Sequence, residues 1–249
     1  MIGARKLENL KPKSRNRTFV RVKNNEEIIE TRNIKSIVRK NTSDSFIVKE
    51  VLSSGAYSKL NITNDDVVAD IGLNIGMFTL FALSKQAKKV YSYEPDVENY
   101  SYAMRNLKLN GIAQSRFSLF NLAVIGNDDT SRPFSLNNKK NKGAHSLIHK
   151  RGRSTSTVRC ININKVFEKH HPHVVKMDIE GGEYECIKSC SSFEGIREFI
   201  IEFHHAHLND INTHKKYKEI LKILRKHFRS VDARKNTKGA WISPIYCRN

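Results

Sequence analysis

The segment that most constrains the fold is Val67–Gly76, which reads VVADIGLNIG. It begins as an apolar run typical of a buried strand, passes through Gly72 and Gly76, and continues into apolar residues at helical spacing. Glycines at such a turn allow positive φ angles and a close approach of the backbone to a ligand. The N-terminus of the following helix presents free N–H groups. The segment therefore predicts a strand–turn–helix unit with a ligand at the carboxyl end of the strand.

The middle of the chain repeats this alternation of strands and helices. Further strands are predicted at Lys89–Glu94, Phe117–Ile125, Val174–Ile179 and Arg197–Phe203, and helices at Ile75–Ala87, Val97–Leu109, Gly182–Ser189 and Thr213–Phe228. Such alternation is typical of a mostly parallel, doubly wound sheet with helices on both faces. We therefore expect a Rossmann-like α/β fold, closed by an antiparallel C-terminal pair from residues 228–234 and 239–247.

Two regions depart from the alternation. Residues 1–60 carry 14 basic and 6 acidic side chains, and we expect a basic N-terminal extension packed on a core domain of residues 61–249. Within it, Thr18–Val22 has a β-like pattern and Phe46–Leu52 a helical one. Residues 126–156 are polar and predict a long loop, which is usually functional or disordered.

The chain shows no targeting pattern. No apolar run approaches the roughly 20 residues of a membrane span. The basic start lacks the apolar stretch of a secretory signal. The four cysteines have no C-x-x-C spacing, so we interpret them as buried thiols in a reducing cytosol. These features predict a cytoplasmic protein, and no pattern indicates its oligomeric state.

The glycine turn and the acid after the second strand narrow the class of ligand. Asn74 stands where the dinucleotide fingerprint G-x-G-x-x-G has its second glycine, which disfavours a pyrophosphate. A carboxylate before the turn suits a cofactor with a cationic amino-acid end, and one after the second strand can accept hydrogen bonds from both ribose hydroxyls. We therefore predict an S-adenosylmethionine site; the alternative is a turn that binds nothing. The predicted cofactor-binding residues are Asp70, Gly72, Asn74, Gly76, Glu94 and Pro95.

Several segments resemble the FkbM family of class I methyltransferases. The most specific one is DIEGGEY at Asp178–Tyr184, and the others are Val67–Leu83, Tyr91–Gly111, Phe120–Gly126 and Ile200–His204. The chain departs from the family's usual alanines at Leu73 and Gly182. The resemblance covers roughly residues 45–205. It implies S-adenosylmethionine binding, a seven-stranded Rossmann-like sheet and, usually, O-methylation of a sugar, polyketide or other small molecule.

Acids at the ends of the later strands are candidates for the reaction. Asp178 ends the strand before DIEGGEY, and Glu202 and His204 end the next one. In-line methyl transfer to a hydroxyl requires alignment of oxygen, methyl and sulfur and a base for the hydroxyl proton. We predict Asp178, Glu202 and His204 as the catalytic residues, with histidine suited by its unperturbed pKa of about 6.5. Lys176 shares a face with Asp178 and is expected to pair with Asp178 or Glu180.

The same three side chains offer a rival reading as a metal site. Two carboxylates and one imidazole suit Mg²⁺ or Mn²⁺. Such an ion lowers the pKa of a bound hydroxyl. No spacing demands a metal, so we do not favour it.

The charge of +19 suggests nucleic acid, but its distribution argues against that reading. Residues 131–167 carry nine basic and no acidic side chains, whereas residues 168–207, which hold DIEGGEY, carry four and eight. Between Ser131 and Lys165 the sole aromatic residue is Phe134, so the basic stretch lacks rings for base stacking. We expect a hydroxylated acceptor, most often a sugar or glycan. Methylation of RNA or other nucleic acid, and an inert S-adenosylmethionine-binding module, stay as alternatives.

Overall fold

The computed structural model describes residues 22–136, 154–205, 211–233 and 242–249, which hold twelve strands and six α-helices. The first half comprises β1 Glu26–Thr31, β2 Ile34–Arg39, α1 Asp44–Leu52, β3 Val67–Ile71, α2 Met77–Ser84, β4 Lys89–Tyr93, α3 Val97–Leu109, β5 Phe117–Phe120 and β6 Ala123–Ile125. The second half comprises β7 Ser131–Leu136, β8 Ser154–Asn162, α4 Ile163–His170, β9 Val174–Met177, α5 Glu183–Ser189, β10 Glu198–His204, α6 Ile211–His227, β11 Ser230–Ala233 and β12 Ile242–Arg248.

A seven-stranded sheet forms the centre of the molecule. Its strand order is β11–β12–β10–β9–β3–β4–β5. Strand β12 runs antiparallel to both of its neighbours, while β9, β10, β3, β4 and β5 pair in parallel. The expected α/β sheet with an antiparallel C-terminal pair is therefore confirmed.

Helices cover both faces of this sheet because side chains alternate along each strand. Val68 of β3 faces the hydrophobic cluster that contains α1, α2 and α3. Its neighbour Ala69 faces the cluster that contains α4, α5 and α6. Asp70 returns to the first face by the same alternation and is fully buried there. This alternation decides which strand-end acids can meet.

The predicted third strand, Phe117–Ile125, is wrong as a single element. Strand β5 belongs to the large sheet, but β6 pairs with β8 in a separate three-stranded sheet. The chain bends at Asn121, whose side-chain amide donates to the carbonyls of Glu94 and Pro95 at 2.8 and 3.0 Å. Two short apolar runs on either side of one polar residue read as one strand in the sequence.

The predicted loop of residues 126–156 is wrong at both of its ends. Strand β7 pairs antiparallel with β8, and Pro133 is tolerated in β7 because this strand lies at an edge. Arg132 fixes the hairpin to α5 through two hydrogen bonds to Glu185, at 2.7 and 2.8 Å. The sequence does not predict β7 and β8 because their composition is polar. Residues 137–153 lie outside the described part of the chain.

The described residues of the N-terminal region pack against the sheet. Strands β1 and β2 form a hairpin that the sequence did not predict, whereas the predicted helix near Phe46–Leu52 is confirmed as α1. Ile37 and Val38 are fully buried, and the amide of Ile37 donates to Asn106 of α3 at 2.6 Å. The boundary at residue 60 stays a prediction, and most of the stretch Thr18–Val22 lies outside the described residues.

Within the described ranges, no helix combines the length and the apolar character needed to cross a membrane.

Candidate active site

A cavity lies at the carboxyl ends of β3 and β4. Its polar walls come from the turn after β3, the residues after β4 and the segment after β9, and its apolar walls come from β6 and β7. The lining residues that matter here are Gly72, Asn74, Glu94, Pro95, Leu122, Val124, Phe134, Asp178 and Glu180. Five sequence-predicted site residues therefore meet in one cavity: Gly72, Asn74, Glu94, Pro95 and Asp178.

The turn after β3 requires glycine at its first position. Gly72 has a φ of +93°, and a Cβ there would lie 1.8 Å from the carbonyl oxygen of Asp178. The amides of Gly72 and Leu73 both donate to the carbonyl of Tyr93, which ties the turn to β4. Gly76, at φ +90°, precedes α2 and packs against Ala103 rather than lining the cavity. Gly72 thus allows the ends of β3, β4 and β9 to approach each other closely.

Glu94 is the best-placed carboxylate for a diol ligand. One of its oxygens accepts the amide of Asn74 at 2.7 Å, and the other accepts the amide of Asp96 at 2.9 Å. Each oxygen therefore keeps a lone pair for a further donor. Burial raises the pKa of Glu94 to about 7, against which the two amide hydrogen bonds act. Among the described residues this carboxylate forms no ion pair, although the charge of Lys176 also acts to lower its pKa.

Asp70 is not among the residues that line the cavity, and its contact with a cofactor stays a prediction. It is fully buried, accepts the hydroxyl of Thr79 at 2.7 Å, and lies 3.4 Å from the ammonium of Lys176. The same ammonium donates to the carbonyl of Gly72 at 2.5 Å and lies 3.7 Å from Asp178. The predicted pairing of Lys176 with Asp178 is confirmed. Asp70 acts here through Lys176, which links the glycine turn to the end of β9.

His204 meets three carboxylates at the end of β10. Its Nδ1 lies 3.0 Å from Glu183, and its Nε2 lies 3.7 Å from Asp178 and 3.6 Å from Glu180. Glu183 is fully buried and also accepts the amides of Ile179 and Gly181, so it shapes the turn after β9. The early helical glutamate of DIEGGEY is thus a partner of the predicted catalytic histidine.

These carboxylates change the expected role of His204. Burial disfavours the imidazolium, but the negative charges of Glu183, Glu180 and Asp178 outweigh it and raise the pKa of His204 well above its ordinary value. A raised pKa favours the imidazolium, which has no free lone pair to take a proton from a hydroxyl. The expectation that His204 is the base therefore conflicts with its surroundings, which favour a positioning role.

The three side chains of the rival metal reading, Asp178, Glu202 and His204, do not converge on one point. Among the described residues, the group whose ligand atoms lie within 4.8 Å of one another is Asp178, Glu183 and His204. Glu202 is absent from that group. A metal would therefore need Glu183, a carboxylate that already accepts two amides and faces His204.

Glu202 lies beside Asp178 and lines a second cavity. The β9–β10 register pairs Met177 with Ile201, so Glu202 follows beside Asp178 on the same face. One of its oxygens accepts the Tyr57 hydroxyl at 2.5 Å. Burial raises the pKa of Glu202 to about 7, helped by the charge of Asp178. Tyr57 was not predicted, because it lies 145 residues from its partner and in no motif.

The comparisons with known proteins agree with this geometry. The model of the methyltransferase FkbM domain matches residues 70–230. The methyltransferase sdnD of Sordaria araneosa is 24% identical over 218 residues, which cover 73% of this chain and 83% of that protein. Other curated relatives match over segments that make up 15–28% of their own length.

Solved structures show the same fold at low identity. A putative transferase from Pyrococcus horikoshii has a TM-score of 0.52 and 16% identity, covering 91% of this chain and 72% of that one. A putative rRNA methylase from Clostridium thermocellum has a TM-score of 0.50 and 12% identity, covering 78% of this chain and 92% of that one. The expected class I methyltransferase fold is therefore confirmed. Because the family model spans more than half of the sequence, the chain belongs to the FkbM methyltransferase family.

Proposed function

We propose that the protein is an S-adenosylmethionine-dependent O-methyltransferase that acts on a hydroxyl of a sugar or glycan. The observation that carries the cofactor is the cavity at the carboxyl edge of the sheet, where the glycine turn faces Glu94. Ligands of doubly wound sheets bind at this edge. Membership of the methyltransferase family supports the same cofactor.

The walls of the cavity divide into parts that match the parts of the cofactor. Glu94 has one acceptor site free on each oxygen, which suits the two ribose hydroxyls. Leu122, Val124 and Phe134 form an apolar wall that suits the adenine ring. The carboxylates of Asp178 and Glu180, which also line the cavity, suit the cationic methionine end. Phe134 comes from β7, within the stretch that the sequence presented as a loop.

The bound cofactor supplies a methyl group activated by a sulfonium, so the enzyme's task is to align the acceptor oxygen and remove its proton. We assign proton removal to Glu202, whose pKa of about 7 matches a base that works near neutral pH. The proton of the acceptor hydroxyl would pass to Glu202, and the cofactor would supply the methyl group to the oxygen that this proton leaves. Tyr57 holds one oxygen of Glu202 and leaves the other for the acceptor.

Asp178 and His204 position this base. Asp178 lies beside Glu202 on the same face, and its negative charge helps to raise the pKa of Glu202. The imidazolium of His204 holds Asp178 and Glu180 on the cofactor side. In this assignment the three predicted catalytic residues keep a place at the reaction centre, but only Glu202 accepts the proton.

A labelled-methyl assay tests this proposal. Purified protein is incubated with methyl-labelled S-adenosylmethionine and separate pools of oligosaccharides, nucleotide sugars, RNA and small alcohols, and mass spectrometry locates the methyl group. We expect an O-methylated saccharide, abolished by Glu202→Gln and retained in the exposed control Glu27→Gln. Labelling of RNA instead would overturn the acceptor class, and binding without transfer to any pool would favour the inert module.

A further inference from the structure

A second cavity lies next to the proposed reaction centre, on the α1 side of the sheet. Its walls are α1, the loop after it, β10 and β12. Its charged lining residues are Glu50, Lys59, Glu202 and Asp232. Because Glu202 is the proposed base, this cavity is the natural place for the acceptor.

The charges in this cavity do not balance. The ammonium of Lys59 forms an ion pair with Asp232 at 2.5 Å, so its positive charge is already paired. Glu202 accepts only the neutral hydroxyl of Tyr57 among its described partners, and Glu50 has no ion pair within the described residues. Burial, followed by the charge of Asp178, raises the pKa of Glu50 as well as that of Glu202. Among the described residues, the two carboxylates therefore face the cavity without an ion pair of their own. The positive charge of Lys176 acts on both, but that ammonium also pairs with Asp70 and Asp178.

The excess of negative charge in this cavity favours one class of acceptor over others. A neutral ligand would displace water from both carboxylates without compensating their charge, which is unfavourable at a half-buried site. A phosphorylated ligand would add repulsion. An ammonium group would supply both the opposite charge and three hydrogen-bond donors.

We propose that the acceptor carries an amino group and that this group binds to Glu50 in the second cavity, while the neighbouring hydroxyl faces Glu202. This inference rests on the proposed function for the hydroxyl chemistry, but the amine site itself is independent of it. Glu50 and Glu202 line the same cavity, so one small polyol can span the two sites. The acceptor class is then an amino sugar or another amino alcohol, not a nucleotide.

Binding to matched probes tests the amine site. Glucosamine, N-acetylglucosamine and glucose 6-phosphate are titrated at millimolar concentration into the protein saturated with S-adenosylhomocysteine, and again without it, with detection by calorimetry or ligand NMR. Glucosamine is expected to bind about tenfold or more tightly than N-acetylglucosamine, since a charge-assisted hydrogen bond distinguishes them. Glu50→Gln should remove this preference, whereas Glu27→Gln, at an exposed site on β1, should preserve it.

The outcomes separate the two proposals. Equal binding of the probes, binding of none of them, or a preference that survives Glu50→Gln overturns the amine site. Methyl transfer to a saccharide without any preference for amines overturns this inference and leaves the proposed function standing. Glu50-dependent amine binding in a protein that does not bind S-adenosylhomocysteine supports the amine site and overturns the proposed function.

Discussion

Replacement of Glu94 by glutamine should change how stability depends on pH. The pKa of Glu94 is raised from 4.5 to about 7 in the folded protein, chiefly by burial. Between these values the folded state holds a proton that the unfolded state has lost. The free energy of unfolding of the wild type therefore falls as pH rises from about 4.5 to 7, and the full penalty is present above pH 7.

The magnitude follows from the size of the shift. Each pKa unit corresponds to about 1.4 kcal/mol, so the whole shift is worth roughly 3 kcal/mol, of which about 2 to 3 kcal/mol develops between pH 5 and pH 8. Glutamine also disturbs the hydrogen bonds from Asn74 and Asp96, but that loss does not depend on pH. The contribution of Glu202 is present in both proteins and cancels.

Urea unfolding of both proteins, without cofactor, at pH 5 and pH 8 measures the effect. The stability of Glu94→Gln relative to wild type should rise by about 2 to 3 kcal/mol between the two pH values. In the same series, S-adenosylhomocysteine should bind the wild type more tightly at pH 8 than at pH 6, because the ribose hydroxyls need an ionised acceptor. A stability difference that stays constant with pH would refute the raised pKa of Glu94.

Three further predictions test other parts of the site. Gly72→Ala should lower the free energy of unfolding, measured in urea, by about 3 kcal/mol or more. The control Gly111→Ala should lower it by about 1 kcal/mol, because Gly111 also has a positive φ but has open space around it. Equal losses in the two variants would argue against the close approach of Gly72 to Asp178. Lys176→Met should lower the free energy of unfolding by about 3 to 5 kcal/mol, because it leaves the Asp70 carboxylate buried and unpaired. The double variant that also carries Asp70→Asn should regain part of this stability. Additive losses in the two single variants and the double variant would contradict the pairing of Lys176 with Asp70. EDTA should leave methyl transfer unchanged, because the His204 imidazolium already balances the nearby carboxylates; a loss of activity that Mg²⁺ restores would contradict this.

The sheet could be predicted because its strands are buried on both faces and read as apolar runs. The helix Val97–Leu109 matches the prediction at both ends, since Asp96 caps its first turn at 2.7 Å and Asn110–Gly111 stops it. The hairpin β7–β8 could not be predicted in this way. It is polar, lies at an edge, and is held largely by Arg132 and Glu185, which are distant in sequence.

The site was predictable where a residue belongs to a local turn and not where it depends on a distant partner. Gly72 and Glu94 reach the cavity because a strand end places them there. The roles of Asp70 and His204 depend on Lys176 and Glu183, whose side chains meet them only in the folded protein. The sequence therefore predicts a cofactor contact for Asp70 and a base at His204 without showing that Lys176 and Glu183 face them.

Calorimetric titration of the wild-type protein with S-adenosylhomocysteine at pH 8 tests the central claim most directly. We expect saturable binding of one molecule per chain. Glu94→Gln should weaken this binding strongly, whereas Glu27→Gln, at an exposed position on β1, should leave it unchanged. Absence of binding heat, or full binding by Glu94→Gln, would contradict the assignment of the cavity beside the glycine turn as the cofactor site.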